Sequence, residues 1–203
     1  MFLNDRNKEI DLHNLQYRIS NEDHAAFASL FELFNKRLVT FSRSLVHSKE
    51  TAEDVVEDVF VKVWSKRHTI HTIDNLAVYL YVAVKNLSLN KISEKARQMI
   101  TQPFDDIEPQ VEALAENPYS LLITSEMLGK MNKAVEELPP RCKMIFKLVR
   151  EDGLRYKEVA QILNISVNTI DVQMAIAVKR ICEALGITKE SLKKPSLSFR
   201  KKN

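Results

Sequence analysis

Apolar residues recur every three or four positions along most of this chain, with polar residues between them. This spacing is typical of amphipathic α-helices that bury one face. The most regular stripe lies in a helix predicted over about residues 52–64, and it consists of Val55, Val56, Val59, Phe60, Val63 and Trp64. Comparable stripes predict helices after residues 20–23 and over about 76–92, 120–138 and 141–150. Together these stripes predict an all-α fold.

Residues 153–181 have the spacing of a helix-turn-helix. A short helix is predicted over 156–163, with Asn164 in the turn, where a positive φ is needed, and Ser166 as the next N-cap. The second helix is predicted to bury Ile170, Met174, Ala177 and Ile181. In DNA-binding proteins this arrangement places the second helix in the major groove. Two ordinary core helices are the alternative, but the register of small, turn and apolar residues favours DNA binding.

Between residues 98 and 120 the helical periodicity fades and three prolines appear. The same stretch carries five acidic side chains and no basic one. Such a composition is typical of a flexible linker. The sequence therefore predicts two small helical domains, residues 1–97 and 121–185, joined by an acidic linker at 98–120 and followed by a basic tail at 186–203.

Composition limits the classes of function that fit. With 3 Gly and 6 Pro the chain has too few turn residues for a β-rich protein, and Cys142 and Cys182 are interpreted as buried thiols in a reducing compartment. No apolar run could span a bilayer, so we expect a cytoplasmic protein without membrane insertion. His68 and His71 lack further ligands and no catalytic constellation is visible, so we expect no enzyme activity, metal or cofactor. Residues 121–203 carry 16 basic and 9 acidic side chains, which favours a polyanionic partner.

Three polar helix faces are candidates for binding, although each could also be an ordinary solvated surface. The outer face of the 52–64 helix is acidic and comprises Glu53, Asp54, Glu57 and Asp58. The 76–92 helix, whose predicted buried stripe includes Tyr79, has a polar side with Asn86, Asn90, Lys91, Lys95 and Arg97. The second helix of the helix-turn-helix exposes Asn168, Thr169, Asp171, Val172, Gln173, Ala175, Ile176 and Lys179. Asn and Gln can read adenine, and Thr, Ala or Val can contact a thymine methyl.

Three stretches resemble motifs of one known family. AEDVVEDVFVKVW at 52–64 is similar to its polymerase-binding helix, usually AED-x-x-Q-x-x-F-x-x-x-W, and YLYVAVKNLSLNKI at 79–92 is similar to its promoter-melting helix. The stretch from 137 to 170, which begins ELPPRCKMIF, is similar to the start of its second domain. By these motifs, in order and spacing over about residues 20–185, the chain resembles bacterial sigma-70 family RNA polymerase sigma factors of the small extracytoplasmic-function (ECF) type.

The resemblance implies a factor that binds core RNA polymerase as a monomer, directs it to promoter DNA and is controlled by an anti-sigma protein. It implies that the acidic face docks on the polymerase clamp, although Glu57 stands where the family usually has Gln. It also implies that Asn86 and Asn90 contact the unwound non-template strand of the −10 element, while the loop at 66–75 holds a flipped base. The linker would thread the polymerase channel.

The second domain departs from the family pattern in its recognition helix. Relatives often carry Arg or Lys at the positions occupied here by Asp171 and Ile176. We therefore expect a −35 preference that differs from that of relatives with a basic helix. The alternative function is a stand-alone helix-turn-helix regulator that binds DNA without polymerase.

Overall fold

The computed structural model describes residues 11–101 and 124–186, with side chains except those of residues 95, 97–101 and 124–128. Most of the predicted linker and tail lies outside these residues. Within the described parts every regular element is helical, and the predicted all-α fold is confirmed. No helix among them combines the length and the apolar character needed to cross a lipid bilayer.

The first unit is built from four α-helices and one 3₁₀ helix. They are α1 (Leu12–Ser20), α2 (His24–Val46), α3 (Lys49–Ser65), the 3₁₀ helix (Arg67–Thr72) and α4 (Leu76–Thr101). Helix α2 packs against α1, α3 and α4, and α1 packs against the 3₁₀ helix. The predicted end of the domain at residue 97 falls within α4, whose backbone continues to Thr101.

Side-chain caps define the starts of α2 and α3. Asp23 caps α2 by accepting hydrogen bonds from the amides of Ala25 and Ala26, and Ser48 caps α3. An N-cap needs extended backbone as well as a side-chain acceptor, and Asp23 and Ser48 are the residues that have both.

The buried side of α4 agrees with the predicted stripe at Leu76, Leu80 and Val84 but not at Tyr79. Tyr81 is almost fully buried and lies 5.3 Å, ring to ring, from Phe41 of α2, whereas Tyr79 is only half-buried. Close to this ring pair, the buried hydroxyls of Ser42 and Ser88 form a 2.9 Å hydrogen bond between α2 and α4. The prediction that Tyr79 belongs to the core was therefore wrong, because α2 packs against the face that carries Tyr81 and Ser88.

The second unit contains α5 (Thr124–Glu136), α6 (Pro140–Arg150) and α8 (Val167–Ala184). Helix α7 (Tyr156–Leu163) precedes α8 along the chain, and residues 157–165 group with the first unit. Helix α8 packs on α5 and α6. In α6 the buried residues are Cys142, Ile145, Phe146 and Leu148, whereas Met144 and Val149 are half-buried.

Two polar contacts fasten α6 to its neighbours. The thiol of Cys142 donates a 3.2 Å hydrogen bond to the carbonyl of Gln173 in α8, and burial raises the pKa of this thiol. At the end of α5, Glu136 accepts hydrogen bonds from Lys143 at 3.1 Å and Lys147 at 2.7 Å. Partial burial opposes ionisation of Glu136, yet the two ammonium groups hold the pKa of its carboxyl below the usual value.

Candidate functional site

The turn between α7 and α8 has the geometry predicted from the sequence. Asn164 adopts a φ of 55°, and the amide of Ile165 donates to the carbonyl of Ala160 at 3.0 Å. The Ser166 hydroxyl accepts from the amide of Thr169 at 3.1 Å and so caps α8. A left-handed residue followed by an N-cap redirects the chain within three residues. The helix–turn–helix order of this segment is confirmed.

Helix α8 buries the four residues predicted for its inner side, namely Ile170, Met174, Ala177 and Ile181. The opposite side therefore faces solvent and carries Asn168, Val172, Ala175, Ile176 and Lys179, all exposed. Asp171 is exposed on one flank, while Thr169 and Gln173 are half-buried on the other. The hydroxyl of Thr169 also lies 2.8 Å from that of Ser166. These eight residues are the predicted DNA-reading set, and the structure brings five of them to the centre of one face.

The centre of that face is apolar. Val172 is 49% exposed and Ile176 is 37% exposed, although both are aliphatic. The nearest cation on the face, Lys179, lies 3.8 Å from Glu183. Guanine, whose major-groove edge offers two acceptors, is usually contacted by Arg or Lys, and Lys179 is the lysine at the centre of this face. The aliphatic Val172 and Ile176 are suited to contact the methyl group of thymine.

The acidic face of α3 projects from a helix whose other side is fully packed. Asp54, Glu57 and Asp58 are exposed, and Glu53 is half-buried, 3.8 Å from Lys49. The packed side, which includes Val55, Val56, Val59 and Val63, fixes the direction of the four carboxylates. A rigid helix thus presents the charged groups as one patch.

Sequence reasoning missed one apolar residue next to this patch. Val61 is 67% exposed and follows Asp58 by three positions and Glu57 by four. Residues at these spacings are neighbours on a helix surface. The sequence feature that could have identified it is a valine that lies outside the buried apolar stripe of α3. The acidic patch therefore has an apolar residue at one end.

Asn86 and Asn90 of α4 border a groove that the sequence did not predict. The groove has a volume of about 200 Å³ and is lined by Val59, Lys62, Lys66, Tyr79, Ala83, Asn86, Leu87 and Asn90. It combines two amides, two cations and an aromatic ring. The half-buried Lys91 follows Asn90, and the side chains of Lys95 and Arg97 lie outside the described residues.

A second groove lies beside the first, between the 3₁₀ helix and α4. It also measures about 200 Å³ and is lined by Val63, Lys66, Thr69, Ile70, Thr72, Ile73 and Tyr79. Lys66 and Tyr79 line both grooves. A cavity of about 150 Å³ is enough for a benzene ring, so either groove has the volume for a single six-membered ring. Sequence reasoning assigned no binding role to Lys62, and it placed Tyr79 in the core although stacking of a base on Tyr79 was an alternative.

An ion pair anchors the first residue of the 3₁₀ helix. The guanidinium of Arg67 donates to the carboxylate of Glu22 at 2.7 and 3.2 Å and lies 5.1 Å from the ring centre of Trp64. Glu22 is in the turn between α1 and α2, with a φ of 64°. The hydrogen bond from Arg67 lowers the pKa of the Glu22 carboxyl. This carboxylate therefore remains ionised at neutral pH, and the α1–α2 turn is connected to the loop beside the grooves.

Known proteins resemble the chain over both units. The family models Sigma-70 region 2 and Sigma-70, region 4 match residues 30–98 and 128–181. The ECF RNA polymerase sigma-E factor of Escherichia coli is 26% identical over 159 residues, which cover 75% of this chain and 83% of the relative. The RNA polymerase sigma-H factor of Pseudomonas aeruginosa is 20% identical over 177 residues, covering 83% and 90%. Among solved structures, one of the sigma factor RpoE from Bartonella quintana in complex with the anti-sigma factor NepR has the same fold. The TM-score is 0.58 at 23% sequence identity, and the match covers 80% of this chain and 98% of that one.

The two matched regions contain the candidate surfaces. Region 2 includes the acidic face of α3 and the grooves beside α4, and region 4 includes the turn at Asn164 and the outer face of α8. The order of the regions along the chain is the order of the motifs identified from the sequence. The chain belongs to the sigma-70 family of RNA polymerase sigma factors, in its ECF group.

Proposed function

We propose that this chain binds core RNA polymerase and directs it to promoters, with the first unit opening the −10 element and α8 reading the −35 element. One observation carries the proposal: Asn86, Asn90, Lys62, Lys66 and Tyr79 line a single groove system on the first unit. Amides, cations and an aromatic ring are the groups that bind an unpaired nucleic acid strand. A duplex-binding module alone would not need them.

The grooves supply what base extraction requires. Removing a base from the duplex stack costs a few kcal/mol. Stacking of the base on an aromatic side chain such as Tyr79 contributes about 1–3 kcal/mol, and Lys62 and Lys66 can neutralise the adjacent phosphates. Asn86 and Asn90 can then pair with base edges that are accessible only after opening. The site therefore stabilises the melted strand more than the duplex, which drives melting.

The acidic face of α3 is the proposed polymerase contact, with Val61 as its apolar end. Acidic residues on a rigid helix steer association with a basic partner and fix its orientation. The half-buried Glu53 sits at the edge of the patch, and the exposed Asp54, Glu57 and Asp58 form its centre. Docking by this face leaves the grooves beside α4 available for DNA.

Joining the two units is what makes initiation specific. Neither unit alone needs to bind the promoter tightly, because attachment to one polymerase raises the effective concentration of each at its element. We propose that the acidic linker at 98–120 follows a basic polymerase channel, and that the chain acts as a monomer in the cytoplasm, without enzymatic activity of its own. The RpoE structure contains an anti-sigma factor. We propose that a protein of that class also covers this chain's DNA- and polymerase-binding faces.

Transcription in vitro tests the proposed function. Purified chain is added to core RNA polymerase with a library of randomised promoter templates, and the transcripts are sequenced. We expect start sites that depend on the added chain, each with two upstream elements at a fixed spacing, and co-elution of the chain with core enzyme. Binding to a palindromic site without polymerase, together with no co-elution, would favour a stand-alone regulator instead.

The apolar face of α8 predicts a thymine-dependent −35 contact. Replacing one −35 thymine at a time by deoxyuridine removes only the 5-methyl group. At one or two positions we expect holoenzyme affinity to fall about fourfold, the value of one buried methyl group. The Val172→Ala variant should bind more weakly and lose this sensitivity at the position that Val172 contacts. Equilibrium binding to duplex promoter fragments measures both effects.

Lys179→Ala provides the matched control on the same face. Removal of a phosphate contact should weaken binding to the thymine and deoxyuridine probes equally and reduce the salt dependence. If every deoxyuridine probe binds the wild-type holoenzyme as tightly as thymine DNA does, the methyl contact does not exist.

A further inference from the structure

The 3₁₀ helix beside the grooves is fastened by α1, which lies before the matched region 2. Gln16 of α1 is only 1% exposed. Its amide nitrogen donates two hydrogen bonds of 2.8 Å, to the carbonyl oxygens of Ile70 and Ile73. A buried polar side chain is unusual in such a short helix, and here both of its amide donors have a partner.

The two carbonyls belong to the end of the 3₁₀ helix. Helix ends leave carbonyl groups without partners within the helix, and a buried carbonyl must find one elsewhere. The carbonyl of Ile70 also accepts from the amide of Ile73 at 3.2 Å, which closes the last turn. Gln16 thereby attaches this turn to α1 at a fixed distance.

The opposite end of the 3₁₀ helix has its own attachment. Arg67, its first residue, pairs with Glu22 at 2.7 Å in the turn that follows α1. An exposed ion pair of this kind contributes little to stability. The contact of Gln16 is the stronger of the two, because its bond to Ile70 is buried, and its loss would remove one of the two donors to the Ile70 carbonyl and the side-chain donor to the Ile73 carbonyl.

We propose that Gln16 is a positioning residue for base recognition. It acts through the 3₁₀ helix, whose residues Thr69, Ile70 and Thr72 form a wall of the second groove, which Tyr79 also lines. If this wall is fixed, a base of one shape fits between it and the tyrosine ring. If the wall moves, the groove accepts several bases. This role rests on the proposed function of the grooves in holding an unpaired base.

The test compares Gln16→Met with Ser42→Ala in the full-length chain. Methionine keeps the length of the side chain but has no donor. Ser42→Ala removes another buried hydrogen bond of the same unit, between α2 and α4, and so controls for a general loss of stability. Gln16→Asn, too short to reach both carbonyls, is a second variant in case the first does not fold.

Two measurements are made on each protein. Amide hydrogen exchange measures how readily the backbone of residues 69–75 opens to solvent. Binding of the holoenzyme to single-stranded −10 oligonucleotides, with each of the four bases at each position in turn, reports base preference. For the Gln16 variants we expect faster exchange in 69–75 and a loss of preference of about fivefold at one position, the factor that corresponds to one net hydrogen bond. Affinity for core polymerase should stay as in wild type.

The outcomes separate this proposal from the proposed function. If the amides of residues 69–75 exchange at the same rate in Gln16→Met and in Ser42→Ala, Gln16 does not hold the 3₁₀ helix against α1. Faster exchange with an unchanged base preference would overturn the positioning role. A wild-type holoenzyme without any base preference would instead overturn the proposed function of the grooves, while the exchange result would still decide whether Gln16 holds the loop.

Discussion

Charge reversal on α3, by Asp54→Lys together with Asp58→Lys, is expected to prevent holoenzyme formation. The acidic face would then meet a basic partner with like charge, which costs several kcal/mol. Each 1.4 kcal/mol changes the dissociation constant about tenfold, so the affinity for core polymerase should fall by about two to three orders of magnitude. Titration of core enzyme with fluorescently labelled chain measures this affinity.

The double variant should fold normally, because both side chains are exposed and the packed side of α3 is unchanged. Glu32→Lys on α2, an exposed position outside the acidic face, is the matched control for a carboxylate-to-lysine change. It should leave the affinity within about twofold of wild type, as is usual for a distant surface charge. Similar losses for Asp58→Lys alone and for Glu32→Lys would refute a specific contact at the acidic face.

Helix α8 shows how much of this fold could be predicted from sequence. Its buried residues, its N-cap at Ser166 and the positive φ at Asn164 all agree with the structure. The buried residues Ile170, Met174, Ala177 and Ile181 form one stripe at helical spacing, and α8 packs against α5 and α6, although Val172 and Ile176 lie outside this stripe and are exposed. Local pattern and tertiary packing agree there, so the prediction holds.

Helix α4 shows where the same reasoning fails. Its apolar residues lie on several sides, since Val78, Leu80, Tyr81 and Val84 are buried while Tyr79 and Leu87 remain half-exposed. A helix that is apolar over much of its circumference has no unique buried side by periodicity alone. Contacts with α2, such as the pair of Ser42 with Ser88, select the side. These contacts join residues 46 positions apart, and no local pattern reveals them.

The residues of the candidate site divide in the same way, into those recognisable within one helix and those brought together only by tertiary packing. The carboxylates of α3 and the two asparagines of α4 are each evident within one helix, and the sequence identified them. The groove is formed only when α3 brings Lys62 and Lys66 next to α4, and those lysines look like ordinary solvated residues in the sequence. Gln16 is hidden for the same reason, because its partners lie 54 and 57 residues away.

Loss of both asparagines, by Asn86→Ala with Asn90→Ala, is expected to block promoter opening rather than polymerase binding. Well-placed amide contacts to a base contribute about 1–3 kcal/mol each. If these contacts form only with the melted strand, the variant should make about a hundredfold less transcript from duplex promoters, as two contacts of that size imply. On templates with a pre-opened −10 region most of the loss should disappear, because the DNA no longer has to be melted.

Permanganate reactivity of the −10 thymines, together with transcript yield on the two templates, measures this difference. Asn14→Ala, which removes an exposed amide from α1, should match wild type in both assays. An equal deficit on duplex and pre-opened templates would mean that the asparagines act after melting or in folding. A normal yield on both would mean that the groove beside α4 does not hold the strand. A transcript deficit confined to duplex DNA at saturating holoenzyme, together with weaker binding of the variant holoenzyme to single-stranded −10 DNA, identifies Asn86 and Asn90 as groups that recognise the unpaired strand.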